Sequence, residues 1–157
     1  MKKLLLLSLT ILLFSCGDNN EDNEVPDNID LGIPIPNAQF KEAVNACLET
    51  NPIDGLCTSN EYGAMPNWNV SQVTDMEEAF RFKTEFNGDI SSWNVSNVTN
   101  MKNMFWGAFS FNGDISSWDV SNVNTMNAMF ERANSFNDYI SSWNVSSVSS
   151  FGSMFYD

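Results

Sequence analysis

Residues 91–115 read SSWNVSNVTNMKNMFWGAFSFNGDI, and the same phrase returns along the chain at a fixed distance. Trp68, Trp93, Trp118 and Trp143 stand 25 residues apart. Three further registers align on them: PNWNVSQVTDMEEAFRFKTEFNGDI from Pro66, SSWDVSNVNTMNAMFERANSFNDYI from Ser116 and SSWNVSSVSSFGSMFYD from Ser141. A fixed period of roughly 20 to 50 residues marks a repeat architecture, in which each unit buries its apolar side chains only by stacking on its neighbours.

The apolar positions of one unit suggest its local structure. Trp93 and Val95 are two apart, which is strand periodicity, whereas Met101, Met104, Phe105 and Ala108 follow helical spacing. Thr74-Asp75-Met76-Glu77 has the form of a capping box, with Thr99 and Ser149 in the same slot as Thr74. Phe86-Asn87-Gly88-Asp89 and its copy at Phe111 to Asp114 carry turn chemistry. Ile90-x-x-Trp93-x-Val95 follows the L-x-x-L-x-L core of a leucine-rich repeat, although Val73, Val98, Val123 and Val148 stand where that repeat has Asn or Cys. The expected fold class is therefore α/β: a leucine-rich-repeat-like, right-handed solenoid of strand–helix units over residues 66–157, with an N-terminal helical cap at 35–65. The final unit stops partway, and the chain reads as truncated, leaving the column of Val148, Phe151, Met154 and Phe155 open on one side.

WNVSNVTNMKNMF followed by FNGDISSW resembles the repeat of BspA-type leucine-rich-repeat bacterial surface proteins, across residues 66–157. The resemblance implies a cell-surface lipoprotein or secreted protein whose array binds other proteins, in some members during adhesion to host matrix or to other bacteria.

Ahead of the repeats the chain carries an address. Lys2 and Lys3 precede an apolar run from Leu4 to Phe14, which is too short to span a bilayer and fits a secretory signal over residues 1–15. Leu13-Phe14-Ser15-Cys16 resembles a bacterial lipobox, implying lipid attachment at Cys16, an exported chain and an outer-membrane anchor. Residues 16–34 form an acidic tether with little apolar content to order it. Acids directly after the acylated Cys also resemble a surface-export signal. The expected location is the cell surface, with the periplasmic side as the alternative.

Residues 37–49, NAQFKEAVNACLE, read as an amphipathic helix with Asn37 as its N-cap. Such a helix would seal the apolar end of the stack. Cys47 and Cys57 lie ten apart in this cap, and an exported chain favours a disulfide between them; otherwise Cys47 packs in the core and Cys57 is free.

Composition narrows the function. Twenty acidic side chains face seven basic ones, for a net charge of −13, and that balance argues against a nucleic-acid partner. The chain has no His, the commonest general base and transition-metal ligand, and its three Cys are too few for a four-thiolate zinc site. No pair of carboxylates is marked out for catalysis, so the chain is read as a non-enzyme without cofactor or metal. Asp89 and Asp114 fit turn capping better than a calcium ladder, because the third copy has Tyr139. The Trp column fits an inward core position better than a sugar-stacking platform.

Candidate contacts remain. Trp106 departs from its repeat equivalents Arg81, Glu131 and Tyr156 and is the first candidate for an exposed contact. Asn69, Asn94, Asp119 and Asn144, flanked by Ser71, Ser96, Ser121 and Ser146, make an outward polar column. Asn87, Asn112 and Asn137 are expected to form an inward ladder. The functional expectation is a surface-anchored module for protein–protein interaction or adhesion. Its partner would be a matrix protein or another cell surface, with the membrane reached only through lipid. The alternatives are a carbohydrate-binding surface module and a periplasmic envelope scaffold.

Overall fold

The computed structural model describes residues 32–157. The leader, the acylation candidate Cys16 and the tether up to residue 31 lie outside the described residues.

The cap forms first along the chain. A single 3-10 turn at Asn37–Gln39 leads into α1, Phe40–Thr50, whose Phe40, Ala43, Val44, Cys47 and Leu48 are buried. The amphipathic stripe thus lies where the sequence places it. Its start differs, because Asn37 does not cap the helix. Instead its Oδ1 accepts the backbone N–H groups of Thr74 and Asp75, at 2.8 and 2.9 Å. Cys47, on α1, is bonded to Cys57 in the loop beyond it, with Cα atoms 5.2 Å apart and both residues buried.

The expected strand–helix unit does not form. Past α1 the described residues hold only the 3-10 turn Met65–Asn67 and isolated parallel bridges, so the fold is not an α/β solenoid of strand–helix units. The Thr74–Lys83 stretch, read as a helix, is a succession of short turns. Ala79, Arg81 and Lys83 donate their N–H groups three residues back, to Met76, Glu78 and Phe80. Met76, Glu78, Phe80 and Phe82 donate outward, to the carbonyls of Asn100, Lys102, Met104 and Trp106 in the next repeat. Every fourth residue takes a positive φ: Glu78 and Phe82, Asn103 and Gly107, Ala128 and Arg132. A right-handed helix cannot contain that conformation. The turns nonetheless bring Met76, Ala79 and Phe80 to one side, so a three-and-four apolar spacing does not separate this path from a helix. The supposed capping Thr serves a neighbour as well: the N–H and Oγ of Thr99 both donate to the Thr74 carbonyl, at 2.8 and 3.1 Å.

The Trp–x–Val segment is likewise no strand. Trp93 and Val98 donate back to Ile90 and Val95 in turns. Side chains supply links to the previous repeat here: Ser92 Oγ to Pro66 O at 2.7 Å, Ser142 Oγ to Ser116 O at 2.9 Å, and Asn97 Nδ2 to Ser71 O and Asn122 Nδ2 to Ser96 O, each at 2.8 Å. Much of the repeated Ser and Asn is therefore the mortar between units.

Between the two polar seams lies the core, built by identical rings standing over one another. Trp68, Trp93 and Trp118 stack at 6.0 and 6.5 Å with planes within 5°. Each indole stays buried because its Nε1 reaches a carbonyl in the unit before or the cap, as from Trp93 to Met65 at 2.8 Å. Phe80, Phe105, Phe130 and Phe155 form a second column at 5.2 to 5.6 Å, and Phe86, Phe111 and Phe136 a third at 6.0 Å. Phe105 joins the two Phe columns, 3.9 Å from Phe111.

The cap imitates a preceding repeat. Asn37 supplies an amide oxygen where a repeat would present a backbone carbonyl, and Ile53 O takes the Asn87 N–H at 2.7 Å. At later junctions the same N–H position is served by Asn87 and Asn112 side chains. That junction is close: a Cβ on Gly88 would sit 2.4 Å from Asp54 O, so only glycine fits.

Phe105→Ala should destabilise the fold by roughly 3–5 kcal/mol in urea unfolding, since it empties the middle of one ring column and its contact with the next. Replacing Cys47 and Cys57 with Ser should cost about 2–4 kcal/mol and lower the midpoint of the same transition. An unchanged midpoint in either case would show that the core or the cap is not coupled to the repeats as described.

Candidate interaction surface

Expected contacts on the Asn column are largely spent on local structure. Asn94, Asp119 and Asn144 are exposed and Asn69 is half-buried. The Oδ1 of each accepts the N–H of the Ser two residues on, at 3.1 to 3.2 Å. Ser71 and Ser96 add their hydroxyls, at 2.6 and 2.7 Å. These are Asx turns, in which a short polar side chain takes the place of a backbone acceptor. Asp89 and Asp114 do the same for Ser91 and Ser116. Asn87 and Asn112 do form a ladder, each accepting the N–H of its copy 25 residues on, but it runs along the surface, not inside.

The place where the repeats differ is more informative. Trp106 is half-buried, not the exposed contact that its mismatch suggested. Its equivalent one repeat earlier, Arg81, lays its guanidinium carbon 4.2 Å from the indole centre and 5.0 Å from the Phe82 ring. Phe82 lies 5.2 Å from Trp106 and is the outward member, 53% exposed. Gly107, the copy of Phe82, makes room: a Cβ there would lie 2.6 Å from the Phe82 ring. Arg81 Nη1 donates to Glu78 Oε1 at 2.6 Å, and Lys41 Nζ, from α1, reaches the other oxygen of Glu78 at 3.2 Å. Beside them Lys102 Nζ donates to Glu77 at 2.9 Å, joined by Asn100 Nδ2 at 3.0 Å. The result is a ridge on the first two repeats in which a guanidinium lies against two neighbouring rings and is held by the Glu78 carboxylate. Cation–π contact of this kind fixes a long side chain that would otherwise be mobile.

Sequence reasoning reached Trp106 but missed Arg81 and Phe82. The signal was present as two paired departures at neighbouring positions, Arg81 with Trp106 and Phe82 with Gly107, each one repeat apart.

Five carboxyls on these surfaces are held below their usual range. Hydrogen bonding from Lys102 and then Asn100 holds the Glu77 carboxyl below its usual range, and Lys41 does the same for Glu78. The Ser91 hydroxyl, followed by its N–H, lowers Asp89, and Ser116 and Ser121 act likewise on Asp114 and Asp119.

A family model described as "Mycoplasma protein of unknown function, DUF285" matches residues 54–157. Its start at Asp54 takes in the loop whose carbonyl meets Gly88 as well as all of the repeats. No curated protein and no solved structure matches the chain.

Carboxylates whose acidity is strengthened by folding contribute stability above their unfolded pKa, near about 4, and that contribution is lost as pH falls through the lower folded value. The urea midpoint should therefore drop as pH is lowered below about 4. In an Asp89→Asn, Asp114→Asn chain, which keeps the Asx oxygens but not the charges, the drop should be shallower. An identical pH profile would show that these turns gain nothing from ionisation.

Proposed function

We propose a function from the premise that this chain belongs to the DUF285 family: it is a cell-surface-anchored repeat lipoprotein whose array serves as a protein–protein interaction or adhesion module. The leader ending at Cys16 and the acidic tether support export and anchoring. The observation that carries the interaction reading is the ridge of Arg81, Phe82 and Trp106. It is a part of the stack where repeat equivalents diverge, and it presents an exposed aromatic ring beside a guanidinium, residue types enriched at protein interfaces. Elsewhere the repeated polar side chains are engaged in turns and junctions, so they contribute shape more than contact.

Charge refines the partner. With its leader removed, the chain carries five basic against twenty acidic side chains. A basic protein surface is therefore the complementary partner, drawn in by long-range attraction that salt weakens. The carbohydrate alternative rests on the 13% aromatic content, of which the stacked Trp68, Trp93 and Trp118 are buried.

Two measurements test the proposal. Protease shaving of intact cells should remove the repeat domain; protection until lysis would place it in the periplasm and favour an envelope scaffold. Binding of the chain to immobilised matrix or cell-surface proteins should weaken with added salt, and Phe82→Ala should lower the affinity by about tenfold or more. Failure to bind any of them at micromolar concentration would remove the adhesion reading.

A further inference from the structure

The cap helix has a second face besides its buried stripe. Gln39, just before α1, and Glu42 and Ala46 on it are exposed along that face, with Ala43 at its foot. The loop at 60–62 stands opposite, and the two enclose a groove of about 380 Å³. Its walls are fixed in place. The disulfide between Cys47 and Cys57 ties the helix to the loop, Asn60 Nδ2 donates to Ala43 O at 3.4 Å, and the Tyr62 hydroxyl donates to Gln39 Oε1 at 2.7 Å. Tyr62 also packs edge-on against Trp68, with ring centres 6.3 Å apart. A hollow of this size that is already formed needs little reordering to take a ligand.

The groove is lined by two carboxylates and no cation. Its neutral polar groups are engaged within the walls: Gln39 accepts from Tyr62, and Asn60 gives its Nδ2 to Ala43 while its Oδ1 takes the Tyr62 N–H at 2.9 Å. Burial, with Glu61 beside it, pushes the Tyr62 phenol up, so the hydroxyl keeps its proton for Gln39. Glu42 and Glu61, by contrast, form no ion pair among the described residues, whereas Glu77 and Glu78 nearby in sequence to the first repeat are matched by Lys102, Lys41 and Arg81. Ala43 and Ala46 give a small apolar floor, which suits the stem of a long cationic side chain.

We propose that this groove takes an arginine or lysine side chain from a basic peptide segment of a partner protein, its stem on Ala43 and Ala46 and its charge shared by Glu42 and Glu61. Free carboxylates on both walls select a cation, and charge-assisted hydrogen bonds to them orient it. A sugar finds less to hold, because the amide and hydroxyl groups that would recognise it are bonded to one another. The chain's own segment at 17–31 carries no basic side chain and so has the wrong charge to fill the groove. The site shares no residue with the Arg81–Phe82–Trp106 ridge and stands without the adhesion reading built on that ridge.

The test is an NMR titration of the isotope-labelled full chain with a Gly/Ser octapeptide carrying two arginines. Saturable shifts are expected at the amides of Ala43, Ala46 and Tyr62, and none with the same peptide bearing glutamine in place of arginine. Glu42→Gln and Glu61→Gln should each weaken binding by about threefold or more, the range of a single exposed ion pair or above. Ala46→Phe, which fills the floor, should abolish it. These three side chains are exposed, so the variants should keep the wild-type circular dichroism. Glu85→Gln removes the same charge outside the groove and should bind like the wild type. Phe82→Ala should also bind like the wild type, which separates this site from the ridge. Absence of saturable shifts, equal binding of the glutamine peptide, or equal weakening by Glu85→Gln overturns the proposal. Shifts at these amides from cellobiose but not from the arginine peptide would overturn it in favour of a glycan.

Discussion

Backbone polar groups removed from water must find partners, and a chain with one helix and no extended strands among its described residues has given up the two usual ways of providing them. Here the partner is a copy of the same segment displaced along the stack. N–H groups at Met76, Glu78, Phe80 and Phe82 reach carbonyls 24 residues on, and the pattern recurs at each junction. The requirement fixes the rest of the structure. Units must have equal length, must face the same way, and must place like residues over like.

Stacking by translation also explains the composition of the core. Rings of one kind pile into columns because a shift by one unit carries each ring onto its copy, with planes within a few degrees for Trp93 and Trp118 or Phe111 and Phe136. It explains why the surface is rich in Ser, Asn and Asp as well. Where the path of the backbone turns away from its neighbour, Ser92, Asn97 and Asn122 span the gap, and Asn94 and Asp119 close the turns. Such a polar surface is structural before it is functional. Contact residues are therefore best sought where the repeat is broken, as at Arg81 and Phe82, and not where it is most regular.

The ends of such an array are chemically unlike its middle. At one end the 3-10 turn before α1, α1 itself and the loop that follows it supply an amide oxygen from Asn37, an apolar stripe and a carbonyl from Ile53, which together stand in for a preceding unit. A disulfide between Cys47 and Cys57 ties the helix to its loop. In the last described unit Phe155, which ends its column, is 59% exposed.

The sequence by itself determined that the chain repeats, where the cap helix falls and that the four indoles spaced 25 residues apart are buried, because burial follows directly from apolar residues recurring at a constant offset. It did not determine the path between those residues. A three-and-four spacing at Met76, Ala79 and Phe80 suits an α-helix and equally suits four-residue turns with a left-handed residue in each, and propensity cannot choose when Glu, Phe, Asn, Ala and Arg all occupy the left-handed position. That choice belongs to the neighbouring repeat, which takes the N–H groups a helix would have kept for itself. For the same reason the ridge was only half legible: the mismatch of Trp106 was visible, but that Arg81 lies across it was decided by the stacking of one unit on the next.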